Sequence, residues 1–168
     1  TARIVAPPAP FSTECRACPR LAQHLAHVRA DNPEYYARPV APFGDNRSRL
    51  LIVGLAPGMH GANRTGRPFT GDYAGVLLYE TLHHYGYASR PDAIARDDGL
   101  RLSGCQITNA VKCLPPQNKP LPDEVRRCNV HLEAELERLP RTAVVLALGT
   151  IAHQAVLMAL GLRRRDYP

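Results

Sequence analysis

Long apolar runs and helically spaced apolar positions alternate along this chain. Leu50-Leu51-Ile52-Val53-Gly54 is continuously apolar and closed by glycine, the pattern of a strand buried on both faces. Ala143-Val144-Val145-Leu146-Ala147-Leu148-Gly149 predicts another buried strand, and a further one is predicted around Gln106–Val111. Helices are predicted between them. Pro19-Arg20 opens one through about Val28. Val76, Leu77, Tyr79 and Leu82 recur at helical spacing over Tyr73–Tyr85. Asp123–Leu139 starts at Pro122-Asp123-Glu124 and stops at Pro140, and Thr150 is read as the cap of a last helix ending at Gly161. Thr1–Phe11 reads as an extended Pro/Ala-rich arm, and Asp31–Asn46, with three prolines and Gly44, as loop.

Strands that alternate with helices imply right-handed crossovers and a parallel sheet covered on both faces. Ligands in such sheets sit at the carboxyl ends of the strands. The segment Leu55–Gly75, Gly/Pro-rich and without periodicity, leaves the first strand at that end, as does the chain after Val111. A loop of that length inside a domain is usually functional.

Composition narrows the classes. The 168 residues fit one domain, 45% are apolar and 21% charged, so a packed core is available and wholesale disorder is excluded. No apolar run reaches the roughly 18 residues that span a bilayer, and no basic-then-apolar leader opens the chain. The expectation is a soluble, cytoplasmic monomer without a membrane partner. A net charge of +6 suits a polyanionic partner. The chain begins at Thr1 and stops at Asp166-Tyr167-Pro168 just after a predicted helix, so both ends are read as cuts.

Five cysteines, an odd count at a density below that of small secreted scaffolds, are expected to serve metal ligation plus one spare thiol rather than a disulfide scaffold. Cys15-x2-Cys18 and Cys113-x14-Cys128 form two pairs, and four thiolates can hold either zinc or an iron–sulfur cluster. Spacing alone does not separate the two, and small buried hydrophobic thiols are the bland alternative. Cys105, at the start of a strand, reads as a buried structural thiol.

The loop after Gly54 carries Ala56, Gly58, His60, Asn63, Arg64, Arg67, Phe69 and Asp72. Its glycines allow a backbone to approach a ligand. Phe69, between Pro68 and Thr70, is an aromatic on a polar loop, either a stacking surface or a local core plug. Asp72 is either a functional carboxylate or the N-cap of the helix beginning near Tyr73. Asn109 stands at a strand's carboxyl end, where an amide can donate and accept at once: it is either a satisfied structural asparagine, the ordinary reading, or a group suited to reading the edge of a base. His83, His84, His131 and His153 lack partners at metal-like spacing and read as structural or solvated.

Gly54-Leu-Ala-Pro-Gly58, His60-Gly-Ala-Asn-Arg-Thr-Gly-Arg-Pro-Phe-Thr-Gly-Asp72 and Thr108-Asn-Ala-Val-Lys-Cys-Leu-Pro-Pro-Gln-Asn-Lys-Pro120 with Cys128 together resemble the uracil-DNA glycosylase superfamily. The likeness is to its iron–sulfur branches, and to family 5 rather than family 4, because Leu55 stands where family 4 carries an acidic residue. The resemblance runs from Cys15 to about Gly161. It implies an α/β fold, three-layer α/β/α with a small parallel sheet, and a [4Fe–4S] cluster at one side on Cys15, Cys18, Cys113 and Cys128. It implies hydrolysis of the N-glycosidic bond of uracil, and of some other deaminated bases, in DNA whose target base leaves the stack. Phe69 would be the stacking platform, Asn109 an edge reader or water positioner, and Gly54, Ala56, Gly58 and His60 further base contacts. Asp72 would stabilise the oxocarbenium-like sugar and orient the attacking water. The superfamily's later His-Pro-Ser motif is not in these residues, so the chain is expected to be partial and weak or inactive by itself. An inactive DNA-binding module is the alternative. A phosphate-binding hydrolase of another class is disfavoured, because neither its phosphate loop nor a nucleophile elbow occurs.

Overall fold

The computed structural model describes residues 10–167. Of the predicted N-terminal arm, all but Pro10 and Phe11 lies outside the described residues. Helix α1 spans Pro19–Asp31, with proline in its first turn, where a missing N–H costs nothing. Strand β1 (Phe43–Gly44) and strand β2 (Leu50–Gly54) follow, then the short helix α2 (Ala62–Thr65) and helix α3 (Tyr73–His84). Strand β3 (Cys105–Asn109), helix α4 (Pro122–Glu137), strand β4 (Val144–Ala147) and helix α5 (Thr150–Ala159) complete the alternation.

The sheet order is β1-β3-β2-β4. β2 lies parallel to both β3 and β4, whereas β1 pairs antiparallel with β3. The sheet is therefore mixed, not the small parallel sheet expected. Two residues are too few to print a periodicity, so β1 was hidden inside the predicted loop; it covers the outer edge of β3. Side chains alternate across β2. Leu51 and Val53 enter a core with Leu21, Val125, Leu132 and Ala155, while Ile52 packs with Ile107, Tyr79 and Leu82 on the other face. Helices thus cover both faces.

Three local readings change. Among the described residues β4 stands at the edge of the sheet rather than buried: Val144 is 62% exposed and Leu146 45%, while Val145 and Ala147 face the core. Its apolar run signalled two covered faces, but among the described residues only one is covered. On α3 the buried stripe is Gly75, Tyr79 and Leu82, leaving Val76 and Leu77 outside. Thr150 does not cap α5; Gly149 holds that position at φ +97°, and Thr150 is the first helical residue.

Candidate active site and thiol cavity

β2 and β3 end side by side, with Gly54 in register with Asn109. The chain then leaves β2 through Leu55 and β4 through Leu148. These two residues, with Asn109, Phe69, Asp72 and Asn118, line a cavity of about 260 Å³. It opens at the carboxyl ends of three neighbouring parallel strands, as expected for a ligand site of this architecture.

Two glycines permit the close packing of its walls. A Cβ on Gly54 would lie 2.5 Å from Asn109 Oδ1 and 2.7 Å from the Phe69 ring. One on Gly61 would lie 1.9 Å from Asp72 Oδ2. Any side chain at either position would displace the groups that face the cavity.

Asp72 stands at the N-cap of α3, but its carboxylate makes no capping hydrogen bond. Its Oδ1 is buried without a protein partner, and so is Asn109 Oδ1. Buried polar atoms are normally paired, so two unpartnered acceptors on one cavity mark it as a place where a ligand supplies the donors.

Phe69 adopts φ +52°, a left-handed conformation that disfavours a bulky residue and costs on the order of 1 kcal/mol. Its neighbours hold it there. Tyr79 Oη donates to Pro68 O at 2.7 Å, with burial pushing the phenol up to about 12. Arg67 Nε donates to Thr70 Oγ1 at 2.9 Å, and its two terminal nitrogens grip both Asp98 oxygens at 2.9 and 2.8 Å. Arg64 is likewise turned inward, onto His60 O at 2.6 Å and Gly71 O at 2.7 Å. Both arginines therefore shape the loop, and Arg67, buried and paired with Asp98, is not free for a phosphate.

The Arg67–Asp98 pair is buried, at 3% and 8% side-chain exposure, and Arg67 holds the Asp98 carboxyl well below the usual carboxylate range. A depressed carboxyl contributes stability above its unfolded value of about 3.9 and loses it as pH falls toward the lower folded value. Asp98→Asn is expected to destabilise the protein at pH 7 by about 3 kcal/mol, because Arg67 stays buried without its counter-charge. In urea titrations the gap between wild type and variant should narrow below about pH 4; a gap constant down to pH 2 would contradict the assignment.

A second cavity lies between the start of α1, the segment after β3 and α4. Cys15 and Cys18 precede α1, Cys113 follows β3, Cys128 sits in α4, and all four thiols line one cavity, with Arg127 and His131 also in its wall. All are free thiols. Burial, then the neighbouring thiols, raises the Cys113 thiol, and burial pushes Cys128 up to about 11 although the Lys112 charge and N–H oppose it. Among the described residues no three His, Cys, Asp or Glu side chains converge as ligands of a single metal ion. Cys105 lies apart, fully buried in the other core.

Residues 41–166 match the family model of the uracil DNA glycosylase superfamily. The chain belongs to that superfamily. Over 93% of its length it is 51% identical to the Type-5 uracil-DNA glycosylase of Thermus thermophilus, and over 88% it is 44% identical to that of Pyrobaculum aerophilum. The Type-4 uracil-DNA glycosylase of Thermotoga maritima is 34% identical over 83% of the chain. The chain spans 73%, 66% and 58% of the lengths of these three relatives.

Against this superfamily the site residues sort as follows. Phe69, Asp72, Asn109, Ala56 and Gly58 meet at one cavity, with Gly54 packed directly behind Asn109 and Phe69. His60 does not line it: it is exposed and its Nδ1 is paired with Tyr35 Oη at 2.7 Å. Asn118 was not singled out from the sequence. It and Gln117 sit at φ +57° and +54°, in a turn between prolines that brings Asn118 to the cavity mouth. The available signal was an asparagine, tolerant of left-handed backbone, in the Pro115-Pro116-Gln117-Asn118 run.

Proposed function

We propose that the protein carrying this chain removes uracil from DNA by hydrolysing the N-glycosidic bond of an extruded nucleotide. The observation that carries this reading is the pairing of Asp72 and Asn109, two buried acceptors without protein partners, on a cavity beside a strained aromatic. Uracil offers its one N–H donor, at N3, to Asn109 Oδ1, a carbonyl oxygen beside it to the Asn109 NH2, and a face to Phe69, the means by which flipped bases are read. Asp72 then lies on the sugar side. Its carboxylate accepts a hydrogen bond from the attacking water and offsets the positive charge that develops as the bond breaks. Lys119, exposed next to Asn118, supplies a phosphate contact at the rim.

The same reading places a [4Fe–4S] cluster on Cys15, Cys18, Cys113 and Cys128. The donor set is chemically suited: four unpaired thiols line one cavity, and thiolates are the ligands of iron–sulfur centres. When bound, the cluster supplies iron–thiolate bonds that tie the segment before α1, the segment after β3 and α4 together. The two cavities share no lining residue, so its part is to brace the site.

The test is incubation with a uracil-containing oligonucleotide and its thymine counterpart. The expected result is an abasic, alkali-labile product from the uracil strand alone. Binding without such a product would support the inactive-module alternative.

A further inference from the structure

Lys112 is the least accessible charged residue described, at 1% exposure, and the proposed chemistry does not use it. Its Nζ donates to Asn109 O at 2.9 Å and to Thr108 Oγ1, and pairs with Glu135 on α4, 2.7 Å from Oε1 and 3.0 Å from Oε2. Its backbone N–H donates to Cys128 Sγ at 3.3 Å, and the next residue is Cys113. One residue therefore touches both the strand end that carries the cavity amide and the thiol cavity.

Taking an ammonium out of water costs several kcal/mol, and a salt bridge of this burial often contributes no more than a well-packed apolar pair would. Stability is thus a weak explanation for it. Its placement suggests another. Asn109 is the last residue of β3, where ladder pairing gives way to the segment leading to Cys113. Ala110 N–H still reaches Gly54 O at 2.9 Å, but Asn109 O accepts from the Lys112 ammonium. The direction of the Asn109 side chain, packed against Gly54 with its Oδ1 unpartnered, depends on that peptide plane.

We infer that Lys112 is a positioning residue: its ammonium, neutralised by Glu135, fixes the Asn109 peptide so that the Asn109 amide is held toward the base. This rests on the reading of the cavity as a uracil site. Glu135 serves by compensating the charge and is itself outside both cavities' chemistry.

Three variants of the cluster-loaded protein separate positioning from mere stability: Lys112→Met, Glu135→Gln, and the double variant Lys112→Met/Glu135→Met. Lys112→Met leaves Glu135 buried alone and should lower Tm by roughly 10 °C and kcat by about 10²-fold, the scale of a displacement near 1 Å. Glu135→Gln should lower Tm but keep kcat within a few-fold, since the ammonium still reaches Asn109 O. The double variant removes both charges and should regain most of the lost Tm, while kcat stays as low as in Lys112→Met with KM little changed. Recovery of kcat together with Tm in the double variant would overturn the inference. Absence of uracil release by the wild type would instead sink the functional reading. In that case a crystal structure of the double variant decides this one: Asn109 displaced from Gly54 supports it, and Asn109 unmoved refutes it.

Discussion

Asp72→Ala is expected to lower uracil release by about 10²–10⁴-fold, the range associated with a positioned carboxylate, while binding to uracil-containing DNA persists. The reason lies in what Asp72 does not do. An N-cap aspartate that bonds its helix contributes about 1 kcal/mol, and losing it would lower Tm. Here the carboxylate bonds no backbone N–H of α3, and one of its oxygens is buried without a partner. Removing it should leave Tm unchanged or slightly raised, the signature of a group kept for chemistry at some cost to stability. The decisive comparison measures single-turnover release and Tm on the same preparation. A variant with lowered Tm and an unaltered rate would return Asp72 to the capping role. Asp72→Asn sharpens the test: it keeps the shape and one acceptor but loses the negative charge that stabilises an oxocarbenium-like sugar. It should therefore fall close to the alanine variant rather than to wild type.

Much of this arrangement was legible in the sequence, for physical reasons that can be named. β2 was read from Leu50 to Gly54 because a central strand is apolar on both faces and glycine ends it where Asn109 and Phe69 press in. β4 carries the same kind of run, yet the run does not reveal that the strand is an edge, since hydrophobicity encodes a demand for cover and not the cover itself. The two-residue β1 has no period to detect. Within the site, Phe69, Asp72 and Asn109 were found because their residue types are out of place on polar loops and strand ends. Asn118 escaped because its contribution depends on two consecutive left-handed residues, which local composition permits without requiring. The inward turn of Arg64 and Arg67 was also invisible. Nothing in the local sequence marks Asp98, thirty-one positions from Arg67, as its partner; the fold alone brings the two together. Lys112 illustrates the same limit, for its partner Glu135 lies twenty-three positions on, in another helix.

The other large effect concerns the thiol cavity. Cys128→Ala is expected to abolish the visible absorption near ~400 nm that cysteine-ligated iron–sulfur centres give, and to lower Tm by roughly 10 °C or more. The size follows from what the four thiols join. Cys15 and Cys18 sit at the entry to α1, whose packing on the rest rests on a few side chains such as Leu21 and on the Arg20–Glu124 pair at 2.8 Å. Arg20 also donates to Lys119 O at 3.1 Å, so α1 steadies the turn that carries Asn118 to the cavity mouth. Burial and the neighbouring thiols raise the Cys113 thiol, which disfavours its ionised form in the absence of a centre. With one, each thiolate is neutralised by iron, and closing so long a loop of chain restricts the unfolded state. The loss should therefore reach the active site indirectly, through a loosened Asn118 turn, and weaken uracil binding even at temperatures where the variant remains folded. Cys105→Ala is the control: buried in the opposite core, it should cost stability through its cavity yet keep colour and iron content. Stoichiometric zinc without colour in the wild type would replace the cluster by a mononuclear site. Equal colour in the Cys128 and Cys105 variants would remove Cys128 from the ligand set.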